Sequence, residues 1–127
     1  MIRKLFIHKI IAVLLFTFTL SACANNANDK SNILVYINNG AFQCGPSGQT
    51  AIQTAALLTT NDIKVVESQC GVMTNLMVIA KCGAPSTAIN IHSINVTDIK
   101  KAQEIGFTRL DNLQKGNKLG YKLVDCK

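Results

Sequence analysis

The chain has 127 residues, a formal net charge of +6 and 48% hydrophobic residues. A chain of this length accommodates one domain with a modest core. Its lysines are scattered and form no run of five or six like charges, the pattern that marks a nucleic-acid arm. We therefore expect a solvated basic surface and no nucleic-acid partner.

The first 22 residues have the pattern of a secretory signal. Arg3, Lys4 and Lys9 give a positively charged start, and a largely apolar run extends from Ile10 to Leu20. This run is too short to span a bilayer, which needs roughly 20 apolar residues. We predict that residues 1–22 are a signal peptide, with an uncleaved anchor or a plain secreted protein as the alternatives.

The end of this run, Leu20-Ser21-Ala22-Cys23, resembles a lipobox. In the bacterial lipoprotein family that it resembles, the cysteine thiol receives a diacylglyceryl group, signal peptidase II cuts before the cysteine, and the freed amine is usually acylated. The resemblance implies a lipid anchor on Cys23, facing the periplasm or the cell exterior. It also implies the outer membrane, because Ala24 and Asn25 follow without the aspartate that commonly retains such proteins in the inner membrane.

The mature chain is predicted to be a tethered single domain. Residues 25–31 lack apolar side chains with which to pack, so residues 23–31 are predicted to form a lipidated flexible tether. Residues 32–127 then form one globular domain. Loss of the three basic residues of the signal leaves ten Lys and Arg against seven Asp and Glu, so the net charge falls to +3.

The first half of the domain predicts a β-α-β unit. Ile33 to Ile37 is a continuous β-favouring run, which is typical of a strand buried on both faces. Gln49 to Thr59 predicts a helix, and Ile63 to Ser68 begins a second strand that ends near Cys70. The predicted buried face of the helix contains Ala51, Ile52, Ala55, Ala56 and Leu58. A crossover helix favours a parallel, right-handed unit.

The second half predicts three more strands and one more helix. Leu76 to Ala80 is an apolar β-type run, and Thr87 to Ile94 alternates as a half-exposed strand does. Asn95 is the predicted N-cap of a helix that ends at Ile105, and Leu119 to Val124 is predicted to be the closing strand. The predicted order is therefore β-α-β-β-β-α-β.

Two helices cannot cover both faces of a five-stranded sheet well. We therefore predict an α/β (α+β) two-layer sandwich, in which a mixed sheet of about five strands carries both helices on one face. This is a ferredoxin-like arrangement with an extra strand. A thioredoxin-like fold is the alternative.

Four cysteines remain after Cys23, and an even number in a small exported chain usually means disulfides. They are Cys44, Cys70, Cys82 and Cys126. In a parallel β-α-β unit the ends of the two strands lie at the same edge of the sheet. We therefore predict a Cys44–Cys70 bridge and, by elimination, a Cys82–Cys126 bridge.

A redox role is the alternative for one of these cysteines. Cys44-Gly45-Pro46-Ser47 resembles the active site of monothiol glutaredoxins and of thioredoxin-like proteins with a serine in place of the second cysteine. The resemblance implies a nucleophilic Cys44 whose pKa is lowered by a helix N-terminus, with Ser47 at the position of the second cysteine. It also implies a cis-proline, for which Ala84-Pro85 is the candidate.

No cofactor or metal site is predicted. His92 is the only histidine after the signal, so we interpret it as a residue on the strand surface and not as a zinc ligand. The leading hypothesis is a non-enzymatic accessory or binding lipoprotein, held on the membrane through Cys23 and bound to an envelope protein. The alternatives are a thiol-disulfide redox protein and an envelope inhibitor or immunity lipoprotein.

Overall fold

The computed structural model describes residues 31–127, so the predicted signal peptide, Cys23 and nearly all of the tether lie outside the described residues. This part of the chain contains five strands and two α-helices. They are β1 (Asn32–Asn38), α1 (Ala51–Thr59), β2 (Val65–Met73), β3 (Ala88–Asn95), α2 (Ile99–Glu104), β4 (Thr108–Arg109) and β5 (Tyr121–Val124). Neither helix is long and apolar enough to cross a membrane.

The five strands form one sheet in the order β4-β1-β3-β2-β5. Every neighbouring pair is antiparallel, so β1 and β2 run in the same direction on either side of β3. The first four strands have the ferredoxin-like order, and β5 extends the sheet beyond β2. The predicted two-layer α/β sandwich is confirmed. The sheet is not mixed, because β3 separates the two strands that were expected to pair in parallel.

The main core lies between this sheet and both helices. Leu58 of α1 and Ala102 of α2 meet Val35 of β1 and Ile94 of β3, and all four side chains are fully buried. Phe107, just after α2, completes the cluster. Both helices therefore cover the same face of the sheet, as predicted.

The other face of the sheet is covered in part by a 3₁₀ turn, Leu110–Leu113. Its two leucines pack on Ile89 and Ile91 of β3, whose side chains point away from the helices. The central, doubly buried strand is therefore β3, which was predicted to be half exposed. In β1, predicted to be buried on both faces, Leu34 is partly exposed on the open side of the sheet.

One predicted strand does not form. Leu76 to Ala80 lies in the connection between β2 and β3, outside any strand. The run cannot pair with the preceding strand, since β2 is already bonded to β3 on one side and to β5 on the other. The observed order is β-α-β-β-α-β-β, because β4 and β5 both follow α2.

Helix α1 begins at Ala51, two residues later than predicted, because Thr50 caps it. The Thr50 hydroxyl accepts from the Gln53 amide at 3.2 Å, and the Gln53 side chain accepts from the Thr50 amide at 2.8 Å. This reciprocal capping box fixes the start of the helix. Ile52, predicted to be on the buried face, is 83% exposed, whereas Thr54 is fully buried.

The ends of the second helical segment match the prediction. The side chain of Asn95 accepts from the Thr97 amide at 3.0 Å and caps a 3₁₀ turn that leads into α2. At the other end Gly106 has φ +98°, and the Phe107 amide donates to the Ala102 carbonyl at 3.0 Å. This is a Schellman ending, in which glycine takes the left-handed position.

Candidate functional site

All four cysteines of the domain form disulfides. Cys44 bonds to Cys82, with Cα atoms 5.0 Å apart, and Cys70 bonds to Cys126, with Cα atoms 5.2 Å apart. The predicted pairing of Cys44 with Cys70 and of Cys82 with Cys126 is wrong. Its premise was that β1 and β2 are neighbours, but β3 lies between them, so the loop after β1 meets the loop before β3 instead.

The Cys44–Cys82 bridge locks two loops together at one end of the sheet, residues 39–50 and residues 74–87. Gln43 adds four hydrogen bonds across the same junction. Its amide donates to the Ala84 carbonyl at 2.9 Å, and its carbonyl accepts from the Gly83 amide at 2.8 Å. Its side chain donates to the Ile79 carbonyl at 3.0 Å and accepts from the Lys81 amide at 3.2 Å. The two loops are therefore cross-linked by one disulfide and four hydrogen bonds.

Five large apolar side chains are exposed on these locked loops. They are Phe42, Leu76, Met77, Val78 and Ile79, and we call them the apolar tip. Met77 is fully exposed and Ile79 is 77% exposed, whereas Leu76 and Val78 are 53% and 45% exposed. Exposure alternates along the segment, as in an extended chain with one side turned outward. A run of four exposed apolar residues is uncommon unless it has a function.

The backbone of this segment is also largely unpaired. Within the described chain, the Ile79 carbonyl is the one backbone group of residues 76–80 that makes a hydrogen bond, and its donor is the Gln43 side chain. Just before the segment, the buried Oδ1 of Asn75 lacks a donor. Both features describe a segment whose contacts are incomplete in the isolated domain.

The same end of the sheet is basic. The end of loop 114–120 is bonded to this part of the chain, because the Thr74 amide donates to the Gly120 carbonyl at 2.8 Å. The three loops, 39–50, 74–87 and 114–120, contain Lys81, Lys115 and Lys118 and no aspartate or glutamate. The loops that carry the apolar tip, and the loop bonded to them, therefore carry positive charge and no carboxylate.

The apolar tip and the start of the domain are at opposite ends of the sheet. Asn32, the first residue of β1, pairs with Asn95 at the end of β3, whereas the tip loop leads into the start of β3. Seven strand residues separate the two ends. At about 3.3 Å per residue, this distance is roughly 20 Å.

The structure does not give Cys44 the surroundings of a reactive thiol. Cys44 is bonded to Cys82, and α1 begins seven residues later, at Ala51. Ser47 is exposed in the loop between them. The Ala84–Pro85 peptide bond is trans, and β3 is the single strand between it and α2. The helix N-terminus expected to lower the pKa of Cys44 is therefore not adjacent to it.

His92 is fully buried in the main core, not on the strand surface as predicted. Its Nε2 lies 2.9 Å from the Thr54 hydroxyl, and its Nδ1 lies 2.8 Å from the Ser68 hydroxyl. Thr54 already donates to the Ala51 carbonyl, at 3.2 Å, so it accepts from Nε2–H and leaves Nδ1 to accept from Ser68. The ring of Phe107 meets the imidazole edge-on, with centroids 5.8 Å apart.

Burial lowers the pKa of His92 from 6.5 to about 4, so the ring is neutral at physiological pH. A polar threonine among the apolar residues of α1 was the sequence signal for a buried polar partner. No three His, Cys, Asp or Glu side chains gather as possible metal ligands within residues 31–127. The His92 network is therefore interpreted as a structural element of the core.

Comparisons of the chain with models of protein families, with curated proteins and with solved structures find no match. Function is therefore inferred from the described surfaces. The apolar tip contributes four consecutive exposed apolar residues, on a loop that a disulfide joins to its neighbour.

Proposed function

We propose that the protein is a membrane-anchored bacterial lipoprotein that acts as a non-enzymatic binding module in the cell envelope. The lipobox resemblance at Cys23 supports the anchor, which would place the domain at a membrane surface, with the outer membrane as the expected location. The apolar tip supports the binding role. The single observation that carries this role is the exposure of four consecutive apolar residues, Leu76 to Ile79.

The proposed partner is an envelope protein with an apolar recess bordered by carboxylates. The aliphatic side chains of the tip fit such a recess, and Lys81, Lys115 and Lys118 fit an acidic border. Burial of the four aliphatic side chains offers about 4 to 8 kcal/mol before the costs of association. An inhibitor or immunity lipoprotein is a special case of this function, in which the partner is an enzyme or a toxin.

The loop that carries the tip is already cross-linked at its base, and this favours a binding role. A free loop loses conformational entropy when a partner orders it, and each immobilised residue adds to that cost. Here the Cys44–Cys82 bridge and the hydrogen bonds of Gln43 have already fixed the base of the loop. The cost of ordering is therefore reduced before the partner arrives.

Photocrosslinking in the producing cells tests this proposal. A p-benzoylphenylalanine residue is placed at Met77 and, in a matched control, at Ile52, which is also strongly exposed but lies on α1. We expect one discrete protein adduct from position 77 and none from position 52. Addition of Ile79→Ser or Lys81→Glu should weaken the adduct at position 77.

Two results would contradict the proposal. Equal adducts from both positions would mean that the tip has no special contact. Lipid adducts alone from position 77 would mean that the tip faces a membrane and not a protein.

A further inference from the structure

A cleft of about 630 Å³ opens on the helix side of the sheet, where neither helix covers the strands. It is lined by the loop before α1, by β2 and β3, and by the end of β5. Its walls include the small aliphatic side chains of Val72, Ala88 and Val124. A volume of this size is within the usual range for a small-molecule site, about 300 to 1,000 Å³.

Asn90 gives this cleft a buried polar group. Its side chain is 3% exposed, and its Nδ2 donates to the Gln49 carbonyl at 2.9 Å. A carbonyl can only accept, so this bond fixes which end of the amide is oxygen. Its Oδ1 lies 3.7 Å from Sγ of Cys70. That sulfur is bonded to Cys126 and has no hydrogen to donate.

Oδ1 of Asn90 is therefore a buried acceptor without a donor in the described chain. Such groups are uncommon in folded proteins, because a buried acceptor that loses its hydrogen bond to water and gains no other destabilises the fold. Most such acceptors receive a hydrogen bond from an ordered water or from a ligand. The position of Asn90 in the lining of an open cleft favours a ligand.

The cleft also offers a free donor. The capping box pairs the amides of Thr50 and Gln53, and the Thr54 amide donates to the Thr50 carbonyl. The Ala51 amide has no partner in the described chain, and Ala51 lines the cleft at the start of α1. The first amides of a helix have no partner within the helix and can donate to a ligand.

We propose that this cleft binds a short aliphatic peptide through one of its secondary amides. The ligand N–H donates to Oδ1 of Asn90, and the ligand carbonyl accepts from the Ala51 amide. The aliphatic side chain of the ligand packs on Val72 and Val124. A neutral amide suits the site better than an ammonium group, since burial of a charge costs much more than burial of a dipole.

The site goes beyond the proposed contact at the apolar tip, because it uses a different surface and different chemistry. Asn90 and Ala51 contribute hydrogen bonds inside a cleft, whereas the tip contributes exposed aliphatic side chains. The two surfaces can be tested separately, and Ile79→Ser should leave peptide binding in the cleft unchanged.

The test is an NMR titration of the full chain, labelled with ¹⁵N and purified in detergent micelles. The probe is N-acetyl-leucine methylamide, and the comparison ligand is the same molecule with both amide nitrogens methylated. We expect saturable shifts at the Ala51 amide, the Asn90 side-chain amide and Val72. Methylation removes the donors, so the comparison ligand should bind about tenfold more weakly.

Two variants of β5 complete the test. Val124→Trp fills the cleft, and Leu123→Trp adds the same bulk to the opposite face of the same strand; both parent side chains are partly exposed. We expect Val124→Trp to abolish the shifts and Leu123→Trp to preserve them. The proposal is overturned if the probe gives no saturable shifts, if the methylated ligand binds equally well, or if the two variants behave alike.

Discussion

The buried His92 makes stability depend on pH in a predictable direction. Both ring nitrogens are hydrogen-bonded, to Thr54 and to Ser68, and burial lowers the pKa from 6.5 to about 4. In the unfolded chain the ring is solvated and takes a proton near its ordinary pKa of about 6.5. The folded protein disfavours protonation of His92. The stabilisation that the neutral ring gives is therefore complete above pH 6.5 and is lost as the pH falls towards 4.

The size of the effect follows from the two pKa values. The difference between 6.5 and about 4 corresponds to about 3 kcal/mol over the full range. Between pH 8 and pH 5 the unfolded state gains most of its proton while the folded state gains little. Over that interval the free energy of unfolding should fall by about 2 kcal/mol because of His92.

Urea denaturation of the oxidised protein at pH 8 and pH 5 measures this loss. The control is His92→Gln, which keeps a polar side chain at the site but does not titrate. Carboxylates titrate in both proteins, so their contribution cancels in the difference between them. The wild type should lose about 2 kcal/mol more than the variant between the two pH values. An equal loss in both proteins would refute the neutral, buried imidazole.

Two further predictions concern the cysteines. Cys23→Ser should leave an unprocessed precursor without lipid, and incorporation of labelled palmitate into that variant would contradict the anchor. Mass mapping of the protein purified without reductant should join Cys44 to Cys82 and Cys70 to Cys126. Rapid alkylation of Cys44 in that preparation would instead support the thiol-disulfide alternative.

Local features of the fold were predictable because nearby residues determine them. The N-cap at Asn95 and the ending at Gly106 depend on side-chain chemistry within one helical turn. The two-layer arrangement also follows from the number of helices available to cover the sheet. These predictions need no knowledge of which strands are neighbours.

Strand neighbours were harder to predict, because pairing joins residues that are far apart in the chain. Placing β1 beside β2 was reasonable for a β-α-β unit, yet β3 takes the position between them. That single difference changed the disulfide partner of Cys44 and made β3 the buried central strand. It also brought His92 under α1, where Thr54 could meet it.

The run from Leu76 to Ala80 shows how a failed strand prediction carries functional information. Its composition fits a pleated, half-buried surface, and β propensity measures that fit more than any preference of the backbone itself. The two strands that the run connects offer it no free edge, since β2 and β3 are each paired on both sides. The apolar residues stay exposed because the domain supplies no surface to cover them.

The topology of the sheet relates the apolar tip to the proposed anchor. The chain enters β1 at Asn32, and the tip and the Asn90 cleft lie towards the opposite end. A lipid on Cys23, as proposed, would be attached on the side where the chain enters β1, away from the tip. The lipid would keep the domain concentrated at the membrane, so a contact of modest affinity would be sufficient there. The locked base of the tip is consistent with this arrangement, because it lowers the entropy cost of each encounter.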